Sequence, residues 1–227
     1  MKPGLYVVST PIGNIDDITG RAVAVLEAAD AVACEDTRHT GLLLYRLGIS
    51  CRLISYHDHN KLRRTPELIE MLRQGKRIAL VADAGTPGVS DPGFYLVRAA
   101  VGAGLSVVPV PGASALLAAL VVSGLPCDRF AFEGFLPRRE GRRRKRLQAL
   151  ATEERTMVFF EPGRRLVGLL RDMLELWGDR ELVIGRELTK LHEELIRGRL
   201  ADLVKELPAR ELKGEVTMVV AGNAREA

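Results

Sequence analysis

Five times in the first half of the chain, a short β-rich run breaks into a loop and then into a segment with apolar residues at helical spacing. The runs cover residues 4–9, 30–34, 52–56, 77–82 and 104–110. Such alternation implies a parallel sheet with helices on both faces, because each parallel pair needs a crossover. Every loop that follows a strand then opens on one edge of that sheet, the edge where α/β folds bind ligands. This places a single site before any motif is considered.

The most constrained of these loops is 83–93, which packs three glycines and two prolines beside Asp83 and Asp91. Glycine permits close backbone approach or positive φ, and proline fixes loop shape. Both acids are placed to receive donors of a ligand. The first loop, Thr10-Pro11-Ile12-Gly13-Asn14, has the same character. It lacks the GxGxxG of dinucleotide binders and the GK[ST] of a P-loop, which argues against a dehydrogenase and an NTPase. The fifth run leads into Pro111-Gly112-Ala113-Ser114-Ala115, small residues that suit either backbone contact with a ligand or tight helix packing.

Two further loops are polar. Glu35-Asp36-Thr37-Arg38 ends the second run, where Asp36 or Thr37 serves equally as a helix N-cap or as part of a site. His57-Asp58-His59-Asn60 ends the third. An HxH pair can ligate zinc, but no third and fourth ligands lie nearby, so a polar or proton-handling loop is expected and no metal.

Beyond Gly124-Leu125-Pro126 the pattern resumes with strand-like runs at 130–133, 156–161, 181–185, 194–198 and 215–222, the fourth antiparallel. Two α/β domains follow, 1–115 and 116–227: an N-terminal parallel, Rossmann-like sheet with helices on both faces, and a C-terminal mixed sheet with helices. Within the second domain the run Arg138, Arg139, Glu140, Gly141, Arg142, Arg143, Arg144, Lys145, Arg146 has one acid. Pairing within a helix cannot neutralise it, so it is read as phosphate-seeking and RNA-binding. A net charge of +4 permits an anionic partner without requiring one. Cys34, Cys51 and Cys127 are odd in number and widely spaced, which points away from a disulfide framework. With no membrane-length apolar run and no leader pattern, a cytoplasmic setting is expected.

These motifs, with Phe132-Glu133-Gly134-Phe135-Leu136-Pro137 and Arg186-Glu187-Leu188-Thr189-Lys190, occur in an order that resembles the rRNA-methylating branch of the tetrapyrrole methylase superfamily. The resemblance spans essentially the whole chain. It implies an S-adenosyl-L-methionine-dependent enzyme, homodimeric, acting on the ribose 2′-hydroxyl of a cytidine in 16S rRNA at the decoding centre of the small ribosomal subunit. Carried over residue by residue, it implies cofactor contacts at Pro11, Gly13, Asp83, Gly85, Thr86, Gly112, Ala113, Ser114 and Ala115. Phe159, on the strand edge of the second domain, joins them. A weak ribose nucleophile calls for a base or an oriented acceptor, and Glu35, Asp36, His57 and Asp58 are the candidates. Arg38, Arg138, Arg139, Arg142, Arg143, Arg144, Lys145, Arg146 and Arg164 are the expected RNA contacts. One departure stands out: where related sequences carry Ser-Pro-His-Arg after Phe/Tyr-Glu, this chain has Glu161-Pro162-Gly163-Arg164-Arg165, so Arg164 replaces a histidine. Two alternatives remain, a small-molecule (tetrapyrrole-type) methyltransferase and a non-catalytic RNA-binding assembly factor.

Overall fold

The computed structural model describes residues 1–209 and 212–223. They fall into two compact units, Met1–Ser114 and Ala115–Ala227.

In the first unit β1 (Gly4–Val8), β2 (Ala31–Cys34), β3 (Leu53–Ser55), β4 (Arg77–Leu80) and β5 (Val107–Val110) form a wholly parallel sheet in the order β3-β2-β4-β1-β5. Alternate residues of each strand face opposite sides, and both sides are covered. On one face Val8, Val32, Cys34 and Ala79 meet Ala22, Val25 and Leu26 of α1 (Gly20–Ala28) and Leu44 of α2 (Thr37–Arg46). On the other, Leu5, Ala33, Ile78 and Leu80 meet Leu68, Ile69 and Leu72 of α3 (Lys61–Arg73) and Leu96 and Ala100 of α4 (Gly93–Gly102). Burial on both faces explains why the strands read as near-continuous small apolar runs.

The sequence places the start of α3 at Thr65, ahead of Pro66. The helix instead begins at Lys61 and carries Pro66 inside it. The reason is local: Asn60 folds the preceding turn by accepting from the His57 N–H at 2.9 Å, and the Lys61 N–H already reaches the His57 carbonyl.

The second unit holds β6 (Phe130–Phe135), β7 (Thr156–Pro162), β8 (Glu181–Arg186), β9 (Glu194–Arg199) and β10 (Glu215–Val220), in the order β6-β7-β10-β8-β9. Only β6 and β7 run parallel, so this sheet is mixed. One face is covered by α6 (Glu140–Ala149), α7 (Gly163–Trp177) and α8 (Leu200–Glu206), whose Leu147, Leu166, Leu170 and Leu203 pack on Met157, Ile184 and Met218. In α7 the apolar residues Leu166, Leu169, Leu170, Met173 and Trp177 repeat at helical spacing and all are buried, which fixes the face it presents. A short α5 (Ala115–Val121) packs against β7, β8 and β10.

Phe159 does not sit at a strand edge. It lies within β7, between β6 and β10, fully buried, with its ring 6.1 Å from that of Trp177. Its side chain is core and offers no surface to a ligand.

Candidate active site

Sheet order turns loops scattered along the sequence into one row. From edge to edge the strands end in the His57 loop, the Glu35–Asp36 turn, the Asp83 loop, the Pro11 loop and the Gly112 segment. β4 and β1 are neighbours, and the helices that follow them lie on opposite faces of the sheet. That is a topological switch point, where α/β sheets open a crevice.

Three loops that straddle this point are locked together. Thr10 and Gly85 exchange backbone hydrogen bonds of 3.0 and 3.1 Å. The Ser9 and Thr86 hydroxyls lie 2.9 Å apart, and Thr86 Oγ1 donates to the Ala113 carbonyl at 3.4 Å. With the Thr86 proton committed to Ala113, the Ser9 hydroxyl is the donor to Thr86. Glycine is required at two places. Gly85 has φ +76°, and a Cβ there would come within 3.3 Å of Ile12 Cγ2. A Cβ on Gly112 would lie 3.0 Å from Ser9 Cβ. The result is a wall of bare backbone with exposed Gly13 and Gly112 and half-buried Pro11, Thr86 and Ala113.

Asp83 stands where this wall meets the polar loops. Its Oδ1 accepts from the Asp36 N–H at 3.0 Å, and its Oδ2 has no protein partner among the described residues. Asp91, expected to face a ligand, does something else. Its carboxylate accepts from the Gly88 N–H at 2.8 Å and the Gly93 N–H at 2.7 Å, so it is spent on shaping the loop. Between these contacts Ser90 is held at φ 66°, a conformation that costs a non-glycine residue about 1–3 kcal/mol.

The polar residues differ sharply in state. Asp36 is the N-cap of α2: Oδ1 accepts from the Arg38 N–H at 2.8 Å, and the Arg38 guanidinium grips both oxygens at 3.1 and 2.6 Å. Those hydrogen bonds hold the Asp36 carboxyl well below the usual carboxylate range. Arg38 stays exposed, but its charge is matched by Asp36.

Glu35 is half-buried, and burial raises its carboxyl above the ordinary value. The negative charges of Asp83, Asp91 and Asp58 raise it further. The ring of His57 is oriented by Asn60, whose amide side is fixed by accepting from the His57 N–H. The Asn60 NH₂ therefore donates to His57 Nε2 at 3.2 Å, which puts the ring proton on Nδ1. Nδ1 is buried without a partner, so the neutral ring has a spare donor and no free lone pair for a substrate proton. Asp58 pairs with Lys61 at 2.7 Å. His57 and His59 rings meet edge-on with centroids 5.9 Å apart, and among the described residues no set of three His, Cys, Asp or Glu side chains is arranged to hold a metal ion.

The arginine run of the second unit requires a correction. From Glu140 onward it lies in α6, and α7 beside it supplies acids that lie far away in sequence. Arg143 Nε donates to Asp172 at 2.7 Å, and Arg144 bridges Asp172 and Glu175. Arg146 pairs with Glu133. These three cations are structural. Arg138, Arg139, Arg142 and Lys145 are exposed without an acidic partner among the described residues, and so is Arg164 in the first turn of α7. Arg165 pairs with the buried Glu161 at 2.8 Å and reaches the Leu136 and Pro137 carbonyls at 3.4 Å, which ties the start of α7 to the residues just before Arg138. Ser9 and Asn60 were not singled out from sequence. Ser9 ends a strand that enters a glycine-rich loop, and Asn60 lies beside a histidine, and only the hydrogen bonds distinguish them.

Residues 4–204 match the family of tetrapyrrole (corrin/porphyrin) methylases. The chain is 50% identical over 223 residues to a Synechocystis protein named ribosomal RNA small subunit methyltransferase I, covering 98% of this chain and 80% of that one. A Thermotoga maritima protein of the same name is 46% identical, with 96% of this chain and 98% of the relative covered. Among solved structures, uroporphyrin-III C-methyltransferase from Thermus thermophilus, complexed with S-adenosylhomocysteine, superimposes with a TM-score of 0.67. That pair shares 21% identity, with 96% of this chain and 97% of that chain covered. With its parallel and mixed sheets and its row of strand-end loops, this chain belongs to the tetrapyrrole methylase family.

Proposed function

We propose that this chain is an S-adenosyl-L-methionine-dependent methyltransferase acting on the ribose 2′-hydroxyl of a cytidine in 16S rRNA, at the decoding centre of the small ribosomal subunit. The observation that carries the reading is the exposed set Arg138, Arg139, Arg142, Lys145 and Arg164, without acidic partners among the described residues, on a methylase fold. Exposed cations with no acidic partner among the described residues suit a phosphate backbone. The names borne by the relatives support the same substrate.

The bare backbone wall fits the cofactor: Gly85 and Gly112 stand where a Cβ would crowd the neighbouring loop, and Asp83 Oδ2 is open to a ligand donor. Pro11, Gly13, Asp83, Gly85, Thr86, Gly112, Ala113, Ser114 and Ala115 would hold it. When bound, S-adenosyl-L-methionine supplies a methyl group activated by a sulfonium. Glu35, whose carboxyl is raised and whose side chain has no hydrogen-bond partner among the described residues, takes the ribose proton. His57, its ring held by Asn60, shapes the loop beside Glu35. Asp36 and Asp58 hold the flanking turns through Arg38 and Lys61. The reading includes a homodimer in the cytoplasm.

The test is purified protein, labelled cofactor and 30S particles lacking the modification, followed by nuclease mapping. Label on a single cytidine ribose supports the assignment, and label on a base overturns it. Transfer to a uroporphyrin-type substrate and none to 30S particles would favour the small-molecule reading, towards which the Thermus enzyme points.

A further inference from the structure

Phe94 and Tyr95 open α4, directly after the Asp83 loop, and both are exposed, at 54% and 45%. An aromatic pair at the first turn of a core-packed helix has no reason of folding to face water, since Leu96 and Ala100 already supply the buried face of α4. The two rings meet edge-on with centroids 5.9 Å apart. Lys61, at the start of α3, places its ammonium 3.8 Å from the centre of the Tyr95 ring while bonding to Asp58. Arg98, one turn further along α4 from Phe94, is exposed without an acidic partner among the described residues. Two exposed rings, one of them braced by the Lys61–Asp58 pair, and the cation of Arg98 a turn away make the composition of a surface for single-stranded nucleic acid. There bases stack on aromatic faces and cations follow the phosphates.

We infer that Phe94 and Tyr95, with Lys61 and Arg98, form a nucleobase-stacking subsite that holds a base of single-stranded RNA beside the candidate catalytic loops. The subsite is bounded by the two loops that carry the chemistry. Asp91 pins the Gly88–Gly93 turn that leads into Phe94, and the Lys61–Asp58 pair joins Tyr95 to the His57 loop. Single-stranded RNA presents unstacked bases, and an aromatic platform next to the site holds one of them by stacking. This rests on the rRNA reading above and names the contact through which the substrate is held.

The experiment compares wild type with Phe94→Ala, Tyr95→Ala and Tyr95→Phe. Three readouts are used: methylation kinetics on 30S particles, S-adenosyl-L-methionine binding by calorimetry, and quenching of a single-stranded RNA oligonucleotide containing 2-aminopurine. Each alanine variant should raise KM for the particle about tenfold, within the range of one lost base–aromatic stack. Cofactor affinity and thermal midpoint should be unchanged, Tyr95→Phe should behave as wild type, and quenching should fall in the alanine variants alone. An unchanged KM in both alanine variants of an active enzyme would overturn the inference. So would a change from dimer to monomer by light scattering, which would make this face a contact between copies of the chain. If wild type fails to methylate 30S particles, the functional reading falls, and quenching still decides the subsite: ring-dependent quenching supports it and ring-independent quenching removes it.

Discussion

The Asp83 carboxylate accepts a hydrogen bond from the backbone N–H of Asp36 at 3.0 Å, so the tip of β4 holds the tip of β2. One oxygen of one side chain thus sets the spacing between the cofactor wall and the polar loops, and leaves the other for a ligand. Asp83→Asn keeps an acceptor for Asp36 and removes the charge. The expected outcome is an S-adenosyl-L-methionine Kd raised about tenfold or more, the loss of a charged hydrogen bond, with little change in thermal midpoint. Calorimetric titration alongside a melting curve checks both halves.

Glu35 couples stability to activity. Its folded carboxyl binds a proton more tightly than the unfolded one, so wild type loses stability as pH rises from the unfolded value of about 4.3 through the raised folded value. Glu35→Gln escapes that loss. The variant's advantage in denaturant midpoint should be absent below the unfolded value and grow as pH rises through the raised folded value, while its methyl transfer falls about 10²-fold or more. An advantage that shrinks with rising pH would remove Glu35 as a destabilised base.

Asp30 shows the opposite sign. Its carboxylate accepts from the Arg77 N–H at 2.7 Å and takes both arms of the Arg77 guanidinium at 3.0 Å, which holds it well below the usual range. That stability is present above the unfolded pKa of about 4 and is lost as pH falls through the folded value. Asp30→Asn should cost about 1 kcal/mol near neutral pH, a modest figure because the pair is partly solvated. The gap between variant and wild type should close below pH 4 in urea titrations.

The cations of α6 separate by substitution. Arg142→Ala should leave stability within about 0.5 kcal/mol and lower the salt slope of RNA binding by roughly 0.7–0.9 per lost phosphate contact. Arg144→Ala, which breaks the bridge to Asp172 and Glu175, should lower the melting midpoint. Filter binding across a salt series, with melts on the same samples, distinguishes the two.

All ten strands are legible in the sequence because period and composition are local properties. A short apolar run such as Ile78, Ala79 and Leu80, bounded by turn residues, reads as a strand covered on both faces, and all three are buried. Strand order is not local, and it decides which loops touch. Nothing in the Thr10 and Gly85 segments announces their mutual hydrogen bonds, which follow from β1 lying beside β4. The arginine run misled for the same reason: Asp172, 28 and 29 residues from its two partners, is brought to them by a helix pairing that no helical i,i+4 count can see. For Asp36 the sequence allows a cap or a site, and the structure shows the cap. Asp91 read as a ligand contact because a carboxylate in a glycine loop looks available until its backbone partners are placed.

Strand β1 pairs with β4 at Gly4 and Arg77 and with β5 at Leu5 and Val107. On a growing chain it is therefore made first and paired last. At about 5–20 residues per second, its apolar edges wait roughly 5–20 s for the second partner. Until Arg77 to Leu80 are made, Leu5, Tyr6, Val7 and Val8 have both edges bare, and until Val107 to Val110 are made one edge stays open, the kind of segment that recruits other chains. Aggregation during expression should therefore track how quickly residues 77–110 are translated, and a pause placed before Arg77 should cost more soluble protein than one placed after Val110.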